Sequence, residues 1–199
     1  NAFANKMKNH LWDKLVRFVT RDNLVIGICN GYQVLVNLGL LPGFDGVYGK
    51  RDVALLANDS VRYTVRWTDL QVSNDSPWLT GIETLSLPIA HGEGKFYAET
   101  NILEKLKENK MIAIRYIKGE ICKYSGLLVN PTGTVDNIAA ITDKTGRILG
   151  MMPHPERAIF FTQLPHWTYL KEKYIREEKE IPRVGPGLAI FQNAIRWFK

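Results

Sequence analysis

Apolar positions recur at helical spacing near the start of the chain. Leu11, Leu15, Phe18 and Val19, with Trp12 and Val16 beside them, predict an amphipathic helix over 10–22 laid on a sheet. An apolar run predicts a strand over 24–28. Val34, Leu35 and Val36 followed by Gly39 predict a helix closed by glycine, with Leu40-Leu41-Pro42-Gly43 as the break. Strands follow at 53–57 and 61–67, separated by the turn residues Asn58-Asp59-Ser60. In the second, Val61, Tyr63, Val65 and Trp67 alternate with Arg62, Thr64 and Arg66, a half-buried pattern. An apolar stretch over 85–90 ends in the glycine-bearing loop 91–96. Asn101 is placed to cap a helix over 102–108, and a strand is predicted over 111–117. Strands at 138–142 and 147–152 flank the hairpin signature Asp143-Lys144-Thr145-Gly146. Leu188, Phe191, Ile195 and Phe198 predict a last helix packed back on the sheet. Strands alternating with helices indicate an α/β fold, a mainly parallel sheet flanked by helices.

Composition narrows the setting. The chain has 199 residues, with no repeat and no linker, and reads as one domain. No apolar run is long enough to span a bilayer and no signal peptide opens the chain, so no membrane partner is expected. Two cysteines, Cys29 and Cys122, do not make a disulfide framework, which suits a reducing cytoplasm. The sequons at Asn58 and Asn74 are then chance matches. The net charge of +6 is spread out, and the basic residues of 171–183 interleave with Glu172, Glu177, Glu178 and Glu180 as on a solvated helix face. No nucleic-acid motif is present, and no nucleic-acid partner is expected. The first residue, Asn1, is not methionine, and the chain opens on the approach to a helix, so it reads as an N-terminally incomplete fragment.

The chemistry concentrates in two stretches. In Gly27-Ile28-Cys29-Asn30-Gly31 a nucleophile sits where a strand turns sharply into a helix, with glycines two residues to either side. Side chains at 27 and 31 are expected to clash across the turn, and the helix N-terminus is expected to favour a thiolate. The plain alternative is a buried cysteine before a helix. In Pro153-His154-Pro155-Glu156 the prolines favour an extended chain, which would point His154 and Glu156 the same way. A histidine held by a carboxylate and aimed at a cysteine is an activated nucleophile. A loop histidine beside a helix-capping residue is the alternative. Both stretches follow apolar strands, so both fall at carboxyl ends of the sheet. His91 and Glu93 lack the further ligands of a metal site, and no metal is expected. Cys122 has no such chemical neighbours and reads as structural.

Gly-x-Cys-x-Gly-x-Gln followed by Pro-His-Pro-Glu resembles the class I, triad-type glutamine amidotransferases. The succession of Leu40-Leu-Pro-Gly, Asn58-Asp-Ser, Pro88-Ile-Ala-His-Gly-Glu-Gly-Lys-Phe-Tyr, Asn130-Pro-Thr-Gly and Met151-Met-Pro-His-Pro-Glu-Arg is similar to the glutaminase components of phosphoribosylformylglycinamidine synthases. The resemblance implies a flavodoxin-like fold, here short of its N-terminal part, over residues 1–199. It implies Cys29, His154 and Glu156 as the catalytic triad. Gln33 and the loop His91, Gly92 and Glu93 would meet glutamine, and the Asn30 N–H would serve as one oxyanion donor. The family's other donor lies on a loop that would precede Asn1. The resemblance further implies glutamine as substrate, a synthetase subunit or domain as partner, and no cofactor in this domain, with ATP and magnesium belonging to the synthetase. Three other readings stay open: the glutaminase domain of a different amidotransferase, an inactive regulatory relative, and a cysteine elbow hydrolase. The acid of an elbow hydrolase precedes the histidine, which Glu156 does not.

Overall fold

The computed structural model describes residues 2–199, with Cys122, Tyr124 and Ser125 described by backbone alone. Asn1 and the role expected of Cys122 therefore lie outside the described residues. Helix α1 (Ala2–Val19) leads into strand β1 (Val25–Ile28) and helix α2 (Asn30–Leu38). The buried face of α1 is set by Ala4 and Val19 with Met7, Trp12 and Leu15, while Leu11 and Phe18 are exposed. The expected stripe is rotated because the Trp12 ring lies against Gly49, where a Cβ would sit 3.2 Å from it. Gly39 closes α2 at φ 70°, its N–H reaching the carbonyls of Leu35 and Val36, as expected of a left-handed cap.

The remaining elements are β2 (Val53–Leu56), β3 (Thr64–Val72), β4 (Thr84–His91), β5 (Lys95–Ala98), α3 (Thr100–Glu108), β6 (Ile112–Ile117), α4 (Glu120–Ser125), β7 (Ile138–Thr142), β8 (Ile148–Met151), α5 (Trp167–Arg176) and α6 (Leu188–Trp197). Six strands form one sheet in the order β1-β8-β7-β6-β3-β4, and β2 pairs with β5 in a second. The α/β architecture is as expected, but the main sheet is mixed rather than mainly parallel. Only β1 and β8 run parallel; β8–β7, β7–β6, β6–β3 and β3–β4 are antiparallel. Parallel neighbours need a long crossover, whereas the turn of residues 143–147 between β7 and β8 can only reverse the chain. Strands β1, β8, β6 and β4 nevertheless point the same way, so their carboxyl ends share one edge. The sheet curls until its two margins meet: the Cys29 thiol, just past β1, lies 3.8 Å from the Ala90 carbonyl on β4.

Four local expectations change. The end of the stretch read as loop over 91–96 is strand: Lys95 and Phe96 open β5, which pairs with β2. The cap residue of α3 is Glu99, not Asn101. Strand β3 begins at Thr64 rather than at 61, and the alternation breaks down along it: Val61, Tyr63 and Val65 are largely exposed, Trp67 is half-buried against the core, and Thr68, Asp69 and Leu70 are buried in succession where β3 pairs with β4 and β6. Helix α6 docks through Ile190 and Asn193, whose amide donates to the carbonyls of Trp78 and Thr80, and leaves Ile195 and Phe198 exposed. The charged stretch before it contains α5, a helix with no buried residue, as its interleaved charges suggested. Phe161 meets Tyr174 of α5 edge-on at 6.1 Å. Among the described residues no helix is long and apolar enough to cross a membrane.

Helix α2 lies close over the sheet because two glycines make a floor for it. Gly27 of β1 and Gly150 of β8 are partners in the parallel ladder. A Cβ on Gly27 would come within 2.7 Å of the Gly31 backbone, and one on Gly150 would run into the Tyr32 ring and Leu41. The expected clash at Gly31 is absent: a side chain there would meet open space. Crowding a packed interior costs about 1–3 kcal/mol. Gly27→Ala and Gly150→Ala are therefore expected to lower the unfolding free energy from urea titration by that order, and Gly31→Ala to leave it unchanged or slightly raised, since alanine favours helix over glycine. Equal losses at 27 and 31 would contradict this account.

Candidate active site

Cys29 occupies the corner between β1 and α2 with φ 51° and ψ −108°, a strained conformation for a residue with a Cβ. Its neighbours hold it there. The Cys29 N–H donates to the Met151 carbonyl at 2.8 Å, and its carbonyl accepts from the Gln33 N–H at 3.1 Å. The side chain is half-buried and donates to the Ala90 carbonyl, as a thiol does. Burial pushes the thiol pKa up. The Asn30 N–H bonded to the sulfur and the nearby Arg157 cation oppose this, and the Glu156 carboxylate adds to it. The thiolate expected from the helix N-terminus is thus not the resting form, because desolvation outweighs the N-terminal N–H.

His154 follows β8 as Cys29 follows β1, and these are the two parallel neighbours. The His154 N–H is anchored on the Pro88 carbonyl of β4 at 2.8 Å. Its Nδ1 lies 2.6 Å from Glu156 Oε1, which leaves Nε2 as the nitrogen without a partner, buried. His154 is extended at φ −103° and ψ 90°, but 155–157 form a single 3-10 turn rather than the expected extended run. The expected pairing arises by a tighter route, since that turn folds Glu156 back onto the imidazole. Arg157 Nε lies 3.8 Å from the same carboxylate oxygen.

A pocket of about 310 Å³ opens over the thiol, lined by Cys29, Gln33, Tyr63, Ala90, His91, Gly92 and Glu93. Gln33 Nε2 donates to the Glu93 carbonyl at 2.6 Å, tying α2 to the loop after β4. His91 is buried, and its pKa is lowered to about 4 by burial and by the proximity of His154. The structure thus gathers Gln33, His91, Gly92 and Glu93 around Cys29. Asn30, His154 and Glu156 are not part of that lining; Asn30 reaches the sulfur through its backbone N–H, and the Glu156 charge acts on the thiol. Tyr63 and Ala90 escaped the sequence reading. The Tyr63 hydroxyl donates to the same Ala90 carbonyl, at 2.7 Å, that receives the thiol. A tyrosine in a run of alternating polarity carries no local sign that its hydroxyl will share a carbonyl with Cys29. No group of three or more His, Cys, Asp and Glu among the described residues is placed to hold a metal ion.

The model of the CobB/CobQ-like glutamine amidotransferase domain family matches residues 1–198. The chain belongs to this family. It is 45% identical to phosphoribosylformylglycinamidine synthase subunit PurQ of Methanococcus maripaludis, over all of this chain and 74% of that protein. To the subunit PurQ of Dehalococcoides mccartyi it is 39% identical, over 98% of this chain and 72% of that one. Among solved structures it is similar to PurLQS from Thermotoga maritima, with a TM-score of 0.63 and 25% identity over 93% of this chain. The chain spans 66% of the length of that solved chain.

The pocket over Cys29 has a built-in acid sensitivity. His91 stays neutral in the fold but titrates near its ordinary value of 6.5 when unfolded. Between about pH 6.5 and 4 the unfolded chain binds more protons, so stability falls as pH falls through that window. The loss by pH 4 is up to about 3 kcal/mol. Urea titrations at pH 7 and 4.5 are expected to show a smaller acid loss for His91→Gln than for the parent; an identical loss would mean that His91 is not the group responsible.

Proposed function

We propose that this chain hydrolyses glutamine through a Cys29 thioester and supplies ammonia to a synthetase for the ATP-dependent conversion of formylglycinamide ribonucleotide to formylglycinamidine ribonucleotide in purine biosynthesis. The observation that carries the mechanism is the state of His154: Nδ1 is held by Glu156 and Nε2 is left free, on the segment that follows β8, the parallel neighbour of the strand leading to Cys29. Bound glutamine would present its side-chain amide to the sulfur. His154 Nε2 takes the thiol proton as sulfur attacks the carbonyl carbon, and Glu156 stabilises the imidazolium. The oxyanion faces the Asn30 N–H, which already points to the sulfur. The imidazolium returns its proton to the departing nitrogen, ammonia leaves, and water activated by the same imidazole releases glutamate. A thiol that rests protonated suits this order, because it is activated by transfer to His154 only when substrate is seated.

The family membership and the PurQ relatives support the amidotransferase and purine reading. No cofactor is proposed for this chain; ATP and magnesium belong to the synthetase, and the cytoplasm is the proposed compartment. In the complete protein with its synthetase, Cys29→Ala is expected to abolish the glutamine-dependent reaction and spare the ammonium-dependent one. A glutamine affinity label is expected to modify Cys29 and not Cys122. Glutamine-dependent turnover surviving in Cys29→Ala would refute the nucleophile. Loss of both reactions in a folded variant would refute the division of labour.

A further inference from the structure

Asn58 lies outside the pocket, in the connection between β2 and β3, yet it is almost fully buried at 1% exposure and every polar atom of its side chain is engaged. Its Nδ2 donates to the carbonyls of His91 at 2.8 Å and Arg62 at 3.0 Å. Its Oδ1 accepts from the Gly94 N–H at 3.2 Å and meets His91 Nδ1 at 3.3 Å. Two carbonyls on one side and an N–H on the other fix which end of the amide is which. An amide oxygen can only accept, so His91 carries its proton on Nδ1. The backbone joins in, with the Asn58 N–H donating to the Gly92 carbonyl at 2.9 Å and its carbonyl accepting from the Val61 N–H at 2.8 Å.

Both walls of the pocket hang from these bonds. One is the turn 91–94, which receives Gln33 through the Glu93 carbonyl. Gly94 lies directly over the His91 ring, so any side chain there would run into the imidazole. The other wall is Tyr63, whose hydroxyl shares the Ala90 carbonyl with the thiol. The segment leading to Tyr63 is strained: Val61, β-branched and 84% exposed, sits at φ 53°. Such a conformation persists only where neighbours enforce it, and Asn58 bonds to Val61 and Arg62 on either side of the kink.

We propose that Asn58 is a positioning residue for glutamine recognition, holding the 91–94 turn and Tyr63 in register around Cys29. The inference rests on the glutaminase reading above. It predicts a change in substrate binding rather than in the fold or in the synthetase.

The test uses the complete protein with its synthetase and compares glutamine with ammonium as nitrogen donor. Asn58→Ala is expected to raise KM for glutamine about tenfold or more, the scale of a displaced binding wall, with a smaller change in kcat. Ammonium-dependent turnover is expected to stay at the parental level. Asn58→Asp keeps the size and the acceptor but sets a negative oxygen against two carbonyls, and Gly94→Ala disturbs the same turn from the other side. Both are expected to show the same KM rise, and they decide the matter if Asn58→Ala does not fold. A glutamine KM within about twofold of the parent in a folded Asn58 variant would overturn the proposal. So would an equal loss with both nitrogen donors. Cys29→Ala is assayed alongside: if it retains the glutamine-dependent reaction, the glutaminase reading itself fails, a result distinct from a failure at Asn58.

Discussion

The close approach of α2 to the paired glycines of β1 and β8 is the constraint on which the site depends. Gly27 and Gly150 face each other in the only parallel ladder described, and neither leaves room for a Cβ beneath the first turns of the helix. That approach forces the chain to turn within one residue, and Cys29 takes the strained corner. The same ladder delivers His154 from the neighbouring strand end. One close approach therefore sets the place of Cys29 and of the strand end that leads to His154.

Around that pair the curled sheet supplies what no single element could. Strand β4 stands at the far margin from β1 in the sheet order, yet its Ala90 carbonyl receives the Cys29 thiol and its Pro88 carbonyl receives the His154 N–H. The curl thus closes the site with backbone groups, whose positions are fixed by ladder bonds rather than by flexible side chains. Electrostatics follow from the closure. Half-burial keeps Cys29 a thiol at rest, and deeper burial keeps His91 neutral. Glu156 is the more exposed of the pair, holding His154 Nδ1 while remaining open to water and to Arg157.

The sequence by itself determined the two chemical stretches, because each is local. A cysteine between close-set glycines and a histidine two residues from a carboxylate are fixed by spacing along the chain, and both follow strands whose carboxyl ends share one sheet edge. It also determined the α2 cap at Gly39, the β7–β8 hairpin and the solvated character of α5, all governed by neighbours a few residues apart.

Only the tertiary structure decided the features that depend on distant partners. Strand direction is set by pairing, so the run of apolar strands could not disclose that four of the five ladders in the main sheet are antiparallel. The alternation read over 61–67 was misleading for the same reason: it states that two faces differ, but where β3 is covered on both faces, at Thr68, Asp69 and Leu70, both turn inward. The thiol pKa was decided by burial, a property of the whole fold that outweighs the local helix terminus. Asn58 belongs with these. In the sequence it is one turn residue among three, and its importance comes from bonds to residues more than thirty positions away, which exist only once the chain has closed around them.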